Sequence, residues 1–188
     1  IKVGDKWRAP GGGVIKSVDT DNKIITLKLE DGEIGAVEVG DICMGIFHST
    51  TTSDNATSNV DDSKGNRTFA GFFTCYFHIT EVLDTNHTQF KYELRPIDDN
   101  WKLSFSPCEA MNFVCYGNFT NVARQTSVYE TTTYTRMLVG QNTWEFSVNN
   151  IAMQYGNLTN LDIFGLDMTG YSIYLANIYM KGAIKQVK

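Results

Sequence analysis

No window of this chain sustains apolar residues at positions i, i+3, i+4 and i+7. A helix needs that spacing to bury one stripe of its surface, so none longer than about three turns is expected. Apolar residues recur instead at every second position. Ile25, Leu27 and Leu29 share one face of a run, and Thr26, Lys28 and Glu30 take the other. Phe90, Tyr92 and Leu94 alternate in the same way with Lys91, Glu93 and Arg95. Abundant Thr, Asn and Gly, with 12% aromatics, suit strands joined by turns. The fold class expected is all-β with little helix: a small barrel-like body of antiparallel strands, then an extended, turn-rich β segment.

The body is expected over residues 1–117. Residues 14–18 and 23–29 read as strands, and Asp31-Gly32 marks a hairpin turn because Gly takes positive φ without strain. Residues 34–39 read as the return strand. Val-Gly-Asp occurs at Val3-Gly4-Asp5 and at Val39-Gly40-Asp41, each before a new apolar run, and both read as barrel corners. Residues 41–48 form a buried strand. Residues 49–68 are Ser, Thr, Asn and Asp with almost nothing apolar, a long polar loop. Residues 69–83 are the strongest strand. Both of its faces are apolar near Phe72, Phe73, Tyr76 and Phe77, so it belongs at the centre, covered on each side. Asp84-Thr85-Asn86-His87 turns the chain into the strand of Phe90, and Pro96 stops that strand. Residues 107–111 are expected as one helical turn behind Pro107. Residues 113–116 return to strand.

Gly117-Asn118 marks the expected boundary. Beyond it, residues 118–146 are a Thr/Tyr/Arg-rich connector, with 128–138 extended. Residues 155–184 carry apolar residues in short steps closed by Gly or Asn. A segment of that kind buries its apolar side only by stacking on itself or on other copies. The interface residues expected are Leu158, Leu161, Ile163, Phe164, Leu166, Met168, Tyr171, Ile173, Leu175, Ile178 and Met180.

Several function classes are disfavoured. A net charge of −5 argues against a general nucleic-acid binder, which needs a basic surface. No apolar run approaches the roughly 18 residues of a membrane span. No nucleophile elbow frames a catalytic serine. No paired-His, zinc-ribbon or calcium-loop spacing is present, and the four Cys form no Cys-x-x-Cys pair, so neither metal nor cofactor is expected. Cys75 alternates with Phe73 and Phe77 and reads as a small core residue. No catalytic residue is assigned, and the chain is expected not to be an enzyme. Among the aromatics, Trp101, Trp144 and Tyr129 are candidates for stacking on a sugar ring.

Two long strings carry a resemblance. One is Tyr116-Gly117-Asn118-Phe119-Thr120-Asn121-Val122-Ala123-Arg124-Gln125-Thr126-Ser127, followed by Tyr134-Thr135-Arg136. The other is Gly156-Asn157-Leu158-Thr159-Asn160-Leu161, running into Gly165-Leu166-Asp167-Met168-Thr169-Gly170-Tyr171-Ser172 and Asn177-Ile178-Tyr179-Met180. With Val39-Gly40-Asp41-Ile42-Cys43-Met44-Gly45-Ile46 and Gly65-Asn66-Arg67-Thr68-Phe69-Ala70-Gly71, they resemble segments of large tail-tip or tail-fibre-like structural proteins encoded by prophages of gut anaerobic bacteria. The resemblance covers most of the chain and carries no catalytic signature. It implies a non-enzymatic part of a virion, cut from a longer multidomain chain, in keeping with a sequence that opens on Ile1. It implies a homo-oligomer, trimers being usual in such fibres, in contact with other tail proteins. The alternative is a carbohydrate-binding module of the same appendage, touching host surface glycan.

Overall fold

A computed structural model describes residues 6–49, 60–61, 71–98, 104–159, 161, 165 and 167–185. The polar loop at 49–68 thus lies largely outside the described residues, as do Val3-Gly4-Asp5, Trp101, Ile163, Phe164 and Leu166. The strands in chain order are β1 (Lys6–Arg8), β2 (Gly11–Asp19), β3 (Ile24–Leu27), β4 (Asp41–Ser49), β5 (Val60–Asp61), β6 (Gly71–Val82), β7 (Gln89–Leu94), β8 (Ser104–Phe105), β9 (Asn112–Asn118), β10 (Ser127–Glu130), β11 (Tyr134–Leu138), β12 (Ile151–Asn157) and β13 (Tyr171–Leu175). The described helix is two short 3-10 turns, Val122–Arg124 and Val148–Asn150. The chain is all-β, as its periodicity requires.

Six strands close a barrel in the order β2-β3-β7-β6-β4-β9, every pair antiparallel. Strand β6 is central, between β4 and β7, and its doubly apolar sequence explains why. Cys75, Phe77 and Ile79 point into the barrel and are fully buried, while Tyr76 points out and meets Tyr116 edge-on at 6.1 Å. Phe77 is the hub of the interior. It stacks on Phe90 at 6.4 Å and meets Tyr92 and Phe113 at 5.9 and 5.4 Å. Gly45 is small of necessity: a Cβ there would lie 2.4 Å from the Met111 sulfur.

Three local expectations change. Residues 34–39 form no return strand. The second edge of β3 is already taken by β7, with Ile25 opposite Phe90, so no ladder remains for them. They cross the barrel mouth instead, held by a bridge from Gly12 to Ala36, with Val37 buried and its carbonyl 2.6 Å from His87 Nδ1. Residues 107–111 make a turn rather than a helical one. The Ala110 amide donates to the Ile15 carbonyl (2.9 Å), which drops Met111 into the core. Residues 128–138 fold back as the hairpin β10–β11. At its tip, Thr131 Oγ1 accepts from the amides of Thr133 and Tyr134 at 3.1 and 3.0 Å.

The second sheet has the order β1-β10-β11-β12-β13. Strand β1, expected in the body, is therefore an edge of this sheet, with Trp7 opposite Tyr129. Its core is Leu138, Ile151, Leu158 and Leu161, with Met168 and Tyr174 against them. Val39-Gly40-Asp41 is a corner as expected: Gly40 sits at φ 85° and its amide reaches the Ile79 carbonyl at 2.8 Å.

Because Phe77 touches three rings in a closed barrel, Phe77→Ala should destabilise the protein by about 3–5 kcal/mol. Urea unfolding followed by tryptophan fluorescence measures it. A loss under about 1 kcal/mol would mean that this interior is not packed as described.

Candidate functional site

The two faces of the second sheet are chemically inverted. Strand register sets side chains in rows across it. One row is Tyr129, Arg136, Gln154 and Tyr174. It faces inward, because Tyr129 and Arg136 meet Met44 and Tyr76 of the barrel around a small pocket. Gln154 is fully buried and accepts from Arg136 Nε at 2.8 Å, and Arg136 lies over the Tyr134 ring at 5.1 Å. The neighbouring rows face out. One is Arg8, Val128, Met137, Met153 and Leu175, and the other is Lys6, Glu130, Thr135, Tyr155 and Ile173. Met137, Tyr155 and Ile173 are 36%, 46% and 66% exposed. A sheet with one wet face ordinarily turns its polar rows to water. Across β11, β12 and β13 the polar pair Arg136 and Gln154 is inside while Met137, Tyr155 and Ile173 stand outside; toward β1 the outer rows end in charge.

Exposure rises toward the edge strand. Tyr171 at the start of β13 is 77% exposed, and beyond the strand Ile178, Tyr179, Met180 and Ile184 are 67%, 95%, 59% and 78% exposed. Of the expected interface residues, Tyr171, Ile173, Ile178 and Met180 therefore lie on the surface, and Leu175 is half-buried. Leu158 and Leu161 correct the expectation: they are buried against Leu138 and Ile151 of their own chain and offer nothing to a partner. Met168 packs on the same cluster. Tyr155, Tyr179, Ile184 and Met137, outside the expected set, are exposed too. The alternation Met153-Gln154-Tyr155 held the signal, since it sets Tyr155 opposite in facing to Gln154.

The sheet is held to the barrel by a buried polar joint. The Asp41 carboxylate, inaccessible to solvent, accepts from Arg124 Nε and Nη2, both at 2.7 Å, from Asn118 Nδ2 at 2.9 Å and from the Glu38 amide at 2.9 Å. That bond to Asp41 holds the Arg124 guanidinium above its ordinary pKa. Asn118 Oδ1 accepts the amides of Thr120 and Asn121 at 2.9 and 2.8 Å, and Gln125 Nε2 donates to the Asn118 carbonyl at 2.8 Å. Beside this joint Tyr116 Oη donates to the Trp144 carbonyl at 3.0 Å, and Arg95 pairs with Glu145.

Of the sugar-stacking candidates, Trp144 and Tyr129 are described, and they pack against different rings. Trp144 packs edge-on against His78 and Phe119 at 5.7 and 5.4 Å, whereas Tyr129 packs against Tyr134 at 6.0 Å. The Tyr129 pocket has a volume of about 150 Å³. A broader cleft of about 600 Å³ opens at one end of the barrel. Its rim mixes Lys16 and Lys28 with Glu30, Asp31, Glu33 and Glu109 and holds none of the expected site residues.

Among the described residues, no group of three His, Cys, Asp or Glu is placed to hold a metal ion. No described helix is long and apolar enough to cross a membrane. His78 Nε2 lies 3.2 Å from Glu93, and His87 spans the barrel mouth to Val37. The four Cys are free thiols. Cys43 and Cys115 face each other across β4 and β9 with sulfurs 3.7 Å apart. Burial pushes the thiols of Cys43, Cys75 and Cys115 up, and that of Cys108 up to about 11. Comparison with known family models, with curated proteins and with solved structures returned no match.

Three outcomes follow. Asp41→Ala strands the Arg124 guanidinium, only 15% exposed, and should cost about 3–5 kcal/mol in urea unfolding. Asp41→Asn combined with Arg124→Met should cost less than the two single changes summed, because both sides of the pair then go together. At pH 8 a disulfide-exchange colour reagent should titrate Cys108 slowly and the three buried thiols only after unfolding in guanidinium. Rapid release of all four in the native protein would contradict the closed barrel.

Proposed function

We propose that the chain is a non-enzymatic structural domain of a phage or prophage tail appendage, acting in assembly as a homo-oligomer. The observation that carries the assembly reading is the inverted sheet, whose polar row is buried and whose apolar rows and following segment stand in water. Met137, Tyr155, Tyr171, Ile173, Ile178, Tyr179, Met180 and Ile184 are all exposed. Large apolar and aromatic side chains gathered in the last part of a chain and left in water favour a surface that another molecule covers. The assignment to a tail appendage rests on the resemblance carried by residues 116–127 and 156–180.

The alternative, a carbohydrate-binding module of the same appendage, draws on Tyr129 beside Arg136. Their pocket, about 150 Å³, is smaller than the roughly 300–1,000 Å³ of ordinary ligand sites. A glycan array discriminates: binding lost in Tyr129→Ala would favour this reading over the first.

In sedimentation velocity, the chain should run as an oligomer, and Ile178→Lys with Met180→Lys should weaken association at least about tenfold without altering the far-UV spectrum. A monomer at millimolar concentration would overturn the assembly reading. Antibodies to the chain should label the tail end of phage particles in electron micrographs. Labelling of the capsid alone, or of no particle, would overturn the tail assignment.

A further inference from the structure

We infer that Cys43 and Cys115 are the site of an intramolecular disulfide, which closes while the barrel is forming and is then sealed inside it. The site lies in the barrel wall and is independent of the assembly surface. Cys43 on β4 and Cys115 on β9 are direct cross-strand partners, both fully buried in the barrel core, with sulfurs 3.7 Å apart. Residues directly opposed in an antiparallel pair have Cα atoms about 4.5 or 5.5 Å apart. A disulfide accepts roughly 4.4–6.8 Å, so the backbone can stay where it is. Rotation of the two side chains brings the sulfurs from contact to the roughly 2.05 Å of a bond. An irregularity in the ladder sets this register. Ile42 faces Gly117, and the pairing shifts between Ile42 and Cys43, so that Tyr116 is passed over and Cys115 faces Cys43. Tyr116 then packs outside the barrel against Tyr76, and Cys115 joins the core.

The same geometry turns Cys75 away from this bond. Cys75 faces Gly45 on β4, whereas Cys43 faces Phe77, so Cys75 and Cys43 are diagonal neighbours. Diagonal Cα atoms lie about 7–8 Å apart, beyond disulfide reach. Strand β4 stands between Cys75 on β6 and Cys115 on β9. Closure of the pair is an oxidation, and the oxidant is a small-molecule disulfide of the glutathione type. One cysteine attacks that disulfide as its thiolate, forms a mixed disulfide and releases one small thiol. The second cysteine, as its thiolate, attacks the protein sulfur of the mixed disulfide and releases the other. One protein disulfide is made, one small disulfide is reduced, and the two cysteine protons end on the two small thiols. Both steps need an accessible thiolate. In the closed barrel, burial keeps both thiols protonated and out of reach. The bond therefore forms before closure, and the same burial afterwards shields it from reductants. It would tie together residues 72 apart in the chain, a long loop whose cross-linking strongly restricts the unfolded state.

The test uses the full chain, reduced, unfolded in urea and refolded by dilution into oxidised and reduced glutathione. Thiols counted afterwards in guanidinium should fall from four to two. Peptide mapping should join Cys43 to Cys115. Cys75→Ser combined with Cys108→Ser should still form the bridge, and Cys43→Ala should form none. The oxidised protein should unfold at higher urea than the reduced one, with its unfolding equilibrium constant lowered by roughly a thousandfold. Dithiothreitol should open the bridge only once urea has opened the barrel. Four thiols after refolding, a bridge between Cys75 and Cys108 in its place, or a bridged protein that unfolds at lower urea than the reduced one would overturn the site. A bridge that dithiothreitol opens at once in the folded protein would overturn its sealing. Each of these outcomes leaves the assembly reading as it stands.

Discussion

The buried pair of Asp41 and Arg124 is the constraint on which the rest depends. A carboxylate removed from water is costly unless every lone pair finds a donor. Asp41 finds four, and they come from three separate parts of the chain: Glu38, Asn118 and Arg124. The bonds fix where the barrel ends and where the second sheet begins. Asn118, the last residue of β9, in turn holds the amides of Thr120 and Asn121, and Asn121 caps the 3-10 turn that carries Arg124. The geometry is self-consistent, since the turn presents the arginine and the arginine holds the turn. Hydrophobic contacts around Tyr116, Phe119 and Trp144 add area, but they do not specify a single orientation as a two-pronged ion pair does.

The inverted sheet follows from this joint. The inner row of the sheet lies against Met44 and Tyr76 of the barrel wall, and Arg136 and Gln154 satisfy each other within the sheet. The apolar residues of the alternating pattern are then forced outward. An apolar row facing water is poor design for a lone monomer and ordinary design for a surface that meets another. Tyr179 and Ile184, after the last described strand, are exposed as well.

Much of the barrel was legible because its strands alternate. Ile25 and Leu27, Phe90 and Tyr92, and Cys75, Phe77 and Ile79 each follow period two into the core. The return strand over 34–39 was misread because local pattern cannot reveal that β7, from far along the chain, already occupies that edge. The long extended segment at 128–138 hid a hairpin because its turn is made by a threonine side chain rather than by Gly or Pro. The apolar steps after residue 155 were legible as unsatisfied, but sequence alone did not divide them. Leu158 and Leu161 meet Leu138 and Ile151 in their own chain, while Tyr171 and Ile173 lie exposed on β13, at the end of the sheet order. The Asp41–Arg124 pair was not legible, because nothing local connects residues 83 apart in sequence.

The place of β1 has a mechanical consequence. Strands β1 and β13 form opposite edges of one sheet, and the whole barrel lies between β1 and β10 in the chain. The ladder from Lys6–Glu130 to Arg8–Val128 therefore short-circuits the covalent path through the barrel. Tension applied between residue 6 and residue 175 crosses the sheet from edge to edge and bypasses the barrel. The barrel stays slack until the ladder at β1 shears, so the five-stranded sheet acts as its strain relief.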